Sequence, residues 1–157
     1  MLDIFTVVFF GHRYIENPLD AENKIKEYAG KLISQKEYVN FLVGRNGEFD
    51  VCVSSSIKRA QKEYGNNNSS LTLMLPYVTA EYSKNKKYFE EYYDYIEISH
   101  TASKAHPKSA IQLRNREMVD KADMVICYIE RNEGGAYNTV KYAVKMNKLI
   151  INLADNK

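Results

Sequence analysis

The run Ile4-Phe5-Thr6-Val7-Val8-Phe9-Phe10, ended by Gly11-His12-Arg13, decides how the rest of the chain is read. It is almost wholly apolar and rich in β-branched and aromatic residues, which predicts a strand covered on both faces. Strands of that kind belong to parallel sheets, whose crossover helices cover both sides. The rest of the sequence obliges. Asn17-Pro18 offers an N-cap and a first-turn proline, and Ile25, Tyr28, Ala29, Leu32 and Ile33 follow at helical spacing. Tyr38 to Val43 predicts a second strand, closed by Gly44-Arg45-Asn46-Gly47. Phe49, Val53, Ile57, Ala60 and Tyr64 make one helical stripe, and Gly65 to Ser70 reads as a polar turn. Leu71 to Leu75 predicts a third strand, stopped by Pro76.

Further along, Tyr82 to Tyr93 reads as a short helix or ordered loop, followed by a brief strand at Tyr95 to Ile98. A helix runs from Pro107 to about Lys121. Strands at Met124 to Ile129 and Leu149 to Leu153 flank a helix opened by Gly134-Gly135. This alternation predicts an α/β chain: a single Rossmann-like doubly wound domain over residues 1–157, with a mostly parallel sheet and helices on both faces.

Composition narrows the function classes. Lys plus Arg is 22 and Asp plus Glu 20, a net charge of +2. A general nucleic-acid binder usually carries a clear basic excess, so no general nucleic-acid binding is expected. No apolar run approaches the roughly 20 residues of a membrane helix, and the N-terminus lacks a basic segment before its apolar stretch, so neither membrane association nor a signal peptide is expected. Cys52 and Cys127, without a CxxC pair, read as free thiols of a cytoplasmic protein. Three histidines without ligand spacing give no metal site, and no cofactor is expected.

In doubly wound folds ligands bind beyond the carboxyl ends of the strands, where the strand order reverses. Four strand ends carry unusual residues. Gly11-His12-Arg13 offers a turn, a titratable ring and a cation, or simply a solvated surface turn. In Gly44-Arg45-Asn46-Gly47-Glu48-Phe49-Asp50 the Asp50 carboxylate either favours a helix N-terminus or accepts from a sugar hydroxyl or base. Tyr77, after Pro76, either stacks on a base or packs on the sheet edge. Gly134-Gly135 before a helix presents free N–H groups to an anion, with Asn138 and Thr139 in the first turn; the plain alternative is a capped tight loop. Asn115 shares an apolar stripe with Ile111 and Met118 and must find a partner. Arg114 points either into a cleft or to a surface ion pair with Glu117 or Asp120.

Taken together, these segments and Arg114-Asn115-Arg116-Glu117-Met118-Val119-Asp120 resemble the SLOG superfamily, Rossmann-like nucleotide-sensing proteins related to LOG and to the DNA-processing Smf proteins. The likeness spans nearly the whole chain and is weakest from Tyr82 to His106. It implies a nucleotide-derived small molecule across the strand tips, with phosphate near Gly134-Gly135. LOG enzymes cleave the N-glycosidic bond of a nucleoside monophosphate. Their pattern has an arginine four residues before a methionine, which Arg114 and Met118 match, and a Pro-Gly-Gly-x-Gly-Thr-x-x-Glu run with a catalytic glutamate. Here Glu133 stands at the proline, Tyr137 at the third glycine and Lys141 at the glutamate. Glycosidic cleavage needs a carboxylate, which a lysine does not replace.

The expected function is therefore a cytoplasmic sensor or sequestering module. The alternative is an N-glycosidase with a relocated carboxylate, its catalytic candidates Arg114, Glu133 and Glu48. A third reading makes the tyrosines, densest at Tyr88, Tyr92, Tyr93 and Tyr95, interface material. A homodimer or higher homo-oligomer is expected.

Overall fold

The computed structural model describes residues 2–65 and 67–155. Strands β1 (Ile4–Gly11), β2 (Tyr38–Val43), β3 (Ser69–Leu75), β4 (Tyr95–Ile98), β5 (Met124–Tyr128) and β6 (Leu149–Asn152) form one sheet in the order β4-β3-β2-β1-β5-β6. Every strand pair is parallel. The expected mostly parallel sheet is thus wholly parallel. Between the strands lie α1 (Pro18–Gln35), α2 (Glu48–Tyr64), α3 (Ala80–Lys84), α4 (Lys86–Tyr92), α5 (Pro107–Lys121) and α6 (Gly135–Lys145).

The opening run shows why the sheet is covered twice. Side chains alternate along a strand, so Val7 and Phe9 join the core beneath α1 and α2, with Ile25, Leu32, Val53 and Ile57. Val8 and Phe10 face the other way, against Met118, Val119 and Ala143 of α5 and α6. The Asn17 side chain accepts from the Asp20 N–H, and Pro18 occupies the first turn of α1, as the sequence signals. No helix among the described residues is long and apolar enough to cross a membrane.

Two expectations are corrected. Asn66 of the anticipated polar turn lies outside the described residues, but Ser69 and Ser70 are buried strand rather than turn. Their hydroxyls are satisfied inside: Gln61 Nε2 donates to Ser69 Oγ (3.2 Å), and Ser70 Oγ donates to Asn40 Oδ1 (3.1 Å). Paired polar groups enter a sheet at little cost. The Tyr82 to Tyr93 segment is two short helices joined at Asn85. Phe89 and Tyr93 pack into the core, whereas Tyr88 and Tyr95 stay exposed.

β1 sits at the point where the order reverses. The chain leaves β1 toward β2 and leaves β5 toward β6, in opposite directions along the sheet. The loops after these two neighbours diverge, and their parting opens a crevice.

Candidate functional site

A cavity of about 530 Å³ fills that crevice. Phe9 to Tyr14 line it from β1 and its loop, and Gly44, Asn46 and Asp50 from the β2 end and α2. α5 contributes Ile111, Gln112, Arg114, Asn115 and Met118. The β5–α6 loop and first turn of α6 contribute Arg131 and Glu133 to Ala136.

Arg114 anchors the floor. It is only 2% exposed, so neither proposed surface ion pair exists. Its Nε donates to Asn115 Oδ1 (2.9 Å), Nη1 to the Met74 carbonyl (3.0 Å) and Nη2 to Asn46 Oδ1 (2.6 Å). Burial pushes the guanidinium pKa down, against the pull of Asp50. The guanidinium lies so close to Gly44 that a Cβ there would sit 3.1 Å from Cζ, Nη1 and Nη2. Gly44 is therefore glycine because of what packs against it.

Asn115 is the satisfied amide its stripe position required. Its Nδ2 donates to Thr139 Oγ1 (3.2 Å), and Thr139 Oγ1 donates to the Gly135 carbonyl (2.9 Å). Arg114 is thereby wired to the first turn of α6. Asp50 Oδ2 accepts the Asn46 N–H (2.8 Å), which ties the loop before α2 to that helix. Desolvation raises the Asp50 pKa; the Asn46 bond, Arg114 and Arg13 oppose it.

His12 holds the two diverging loops together. It is buried, and its Nε2 accepts from the backbone N–H groups of Glu130 and Arg131 (3.2 Å each). An acceptor at Nε2 puts the proton of the neutral ring on Nδ1. Burial, and then Arg131, lowers the His12 pKa, while Glu130 and Glu133 pull it upward. On the other side Glu48 N–H donates to the Arg13 carbonyl (2.9 Å).

At the rim, Gly134 caps α6 at φ 95°, a left-handed conformation that favours glycine. No side chain caps that helix. Asn138 N–H is the first to bond back, to the Gly134 carbonyl (3.0 Å). The N–H groups of Gly135, Ala136 and Tyr137 precede it in the first turn, where a helix has no acceptor for them.

Of the sequence-derived residues, the cavity gathers Gly11, His12, Arg13, Gly44, Asn46, Asp50, Arg114, Asn115, Gly134 and Gly135, with Glu133 at its edge. Others lie elsewhere. Arg45 turns away, its Nε and Nη2 gripping the Glu81 carboxylate (3.1 and 3.2 Å) and its Nη1 donating to Tyr93 Oη (3.0 Å). Gly47, Glu48, Pro76, Tyr77, Asn138 and Thr139 do not line the cavity. Pro76 is buried, and Thr139 supports from behind. Lys141 is exposed, its ammonium 5.6 Å from the Tyr137 ring centre. Sequence reasoning missed Tyr14, Gln112 and Arg131. Arg131 carried a signal, since it follows β5 as Arg13 follows β1. Gln112 braces the glycine turn, donating to the Gly135 carbonyl (3.2 Å).

No family model matches the chain, and no curated protein does. Solved structures do share its fold. DNA processing protein A (DprA) from Streptococcus pneumoniae is 15% identical, with a TM-score of 0.67 over 94% of this chain and 49% of that one. DNA processing protein A from Helicobacter pylori is 15% identical, with a TM-score of 0.63 over 93% and 63% of the two chains. The molybdenum cofactor carrier protein MCP from Chlamydomonas reinhardtii is 12% identical, with a TM-score of 0.55 over 94% and 75%. The chain spans about half the length of the first of these and under two thirds of the second.

One expectation is overturned here. The exclusion of general nucleic-acid binding rested on net charge, yet the Helicobacter pylori protein of this fold is described for its single-stranded DNA binding mode. Phosphate is held by a local convergence of cations and N–H groups, which a chain-wide charge sum does not measure. At 12–15% identity the likeness speaks for architecture alone, and there it agrees with the expectation from the sequence: this chain has the Rossmann-like α/β fold of the DprA and MCP structures.

Proposed function

We propose that this chain binds a nucleotide or nucleotide-derived molecule at the carboxyl ends of its strands, as a cytoplasmic sensor or sequestering module. One observation carries the reading: Arg114 and the glycine turn before α6 line the same cavity. Its volume of about 530 Å³ suits a small molecule. The phosphate belongs at the first-turn N–H groups of α6, where the helix dipole favours an anion. Arg131 and Arg13 add positive charge from the two diverging loops, and neither forms an ion pair among the described residues. Apolar wall comes from Phe9, Ile111 and Met118. Binding is favoured over turnover because Lys141 stands outside the cavity and brings no carboxylate to it.

A second reading has a specific observation behind it. Tyr14 is 65% exposed at the cavity mouth, beside Arg13. An exposed aromatic next to a cation suits single-stranded nucleic acid, which is nucleotides in series.

The deciding experiment is mass spectrometry of small molecules released by heating the purified protein. A co-purified nucleotide is the expected result. Calorimetry with nucleotides, cyclic dinucleotides, ADP-ribose derivatives and a short oligonucleotide follows. Silence across that panel, with nothing released on heating, overturns the proposal. Release of free base from nucleoside monophosphates would instead mark the N-glycosidase alternative; of its carboxylate candidates Glu133 and Glu48, only Glu133 lines the cavity.

A further inference from the structure

The cavity floor places two opposite charges near one another without joining them. Arg114 and Asp50 both line it, and each is felt by the other. No ion pair or hydrogen bond links them among the described residues. Arg114 gives its three hydrogen bonds to Asn115, Met74 and Asn46 instead. A guanidinium has five N–H groups, so Nη1 and Nη2 each retain one. Asp50 uses Oδ2 on the Asn46 N–H, and Oδ1 receives nothing from the described residues.

The chemistry of the missing partner follows. An anion drawn to Arg114 would be repelled by Asp50, and a cation drawn to Asp50 would be repelled by Arg114. A neutral group with donors and acceptors side by side satisfies both. We infer that the floor reads a neutral hydrogen-bonding edge of the ligand, which donates to Asp50 Oδ1 and accepts from Arg114, while the ligand's anionic end lies at the glycine turn of α6. This rests on the nucleotide reading and gives it a direction: phosphate toward the α6 turn, nucleoside toward the floor. Two nucleoside parts have such an edge. One is the vicinal hydroxyl pair of ribose. The other is a base edge, such as guanine's N–H donors beside O6 or adenine's N6–H2 beside N1.

Four probes separate them: AMP, dAMP, GMP and dGMP, titrated calorimetrically into the 157-residue chain. A ribose contact makes AMP and GMP bind at least about tenfold tighter than their deoxy forms, the scale of one hydrogen bond to a charged group. A base contact separates GMP and dGMP from AMP and dAMP by a similar factor, with the guanine pair tighter for a guanine edge and the adenine pair tighter for an adenine edge. Either pattern supports the inference. Asp50→Asn should then weaken the preferred probe at least about tenfold, with inorganic phosphate still competing as before. Equal affinity for all four probes, or undiminished binding by a folded Asp50→Asn variant, overturns the inference and leaves the nucleotide reading standing. Failure of all four to bind overturns the inference outright, and the wider ligand panel then decides the nucleotide reading.

Discussion

Replacing Arg114 with methionine sets two opposing effects against each other. The guanidinium is buried, and burial lowers its pKa, so deleting the charge removes a desolvation cost. Against this stand three acceptors that lose their donor: the Met74 carbonyl and the side-chain oxygens of Asn46 and Asn115. The two amides can turn to other partners. The Met74 carbonyl belongs to β3 and cannot. A buried acceptor left unsatisfied costs about 1–3 kcal/mol, and each reorganised bond adds up to about 1 kcal/mol. Asp50 also loses the cation that lowers its pKa. Methionine follows much of the arginine stem, which keeps the cavity penalty small. Lost hydrogen bonds therefore outweigh the relieved charge, and Arg114→Met should destabilise by about 2–4 kcal/mol. For a chain of this size each kcal/mol moves the melting point by about 2–4 °C, so a fall of about 5–15 °C is expected. Urea and thermal melts by far-UV circular dichroism at pH 7 measure it. An unchanged or raised midpoint with an unaltered m-value refutes the argument that protein acceptors, rather than ligand, hold this arginine.

Three further outcomes follow from the same geometry. Gly44→Ala presses a methyl 3.1 Å from three guanidinium atoms already fixed by hydrogen bonds, so it should cost about 1–3 kcal/mol in a urea melt. His12 has a folded pKa below its unfolded value near 6.5; its contribution is complete above pH 6.5 and lost as pH falls through the lower folded value. The fall in urea midpoint between pH 7 and 5 should be smaller in His12→Gln than in the parent. Asp50 has the opposite sign, with a folded pKa raised above 3.8. Its contribution is complete below that pH and declines as pH rises through the folded value, so Asp50→Asn should melt higher than the parent at pH 7 while binding more weakly.

What the sequence revealed and what it hid divide along the distance between interacting residues. The apolar runs, the Asn17-Pro18 start and the glycine turn at Gly134 are local patterns, and all stand in the fold. Arg45 lies away from the cavity because Glu81, which holds it, is 36 positions along the chain, on α3, which follows β3 in sequence. Ser69 and Ser70 read as turn because Asn40 and Gln61 were not visible as partners. Arg114 read as either a cleft residue or a surface ion pair; it lines the cavity, but its burial was unreadable, since two of its three acceptors lie 40 and 68 positions away. Position along a helix gives the direction of a side chain and leaves its partners unnamed.

The floor also redistributes the weight among the charged residues. Sequence reading puts the arginine first, as the cation that awaits an anion. In the fold Arg114 already has three protein acceptors, so packing alone accounts for its presence. Arg131 and Arg13, which make no ion pair among the described residues, are freer to meet a phosphate, and they stand on the two loops that His12 and Glu48 tie in place. Asp50 is the group that structure explains least. Its bond to Asn46 would be made equally well by an asparagine oxygen, without a desolvated charge. A carboxylate kept where a neutral amide would satisfy the fold is the better sign of a ligand that must donate to it. Arg114 and the glycine turn mark the cavity, and that acid adds the feature packing alone does not explain.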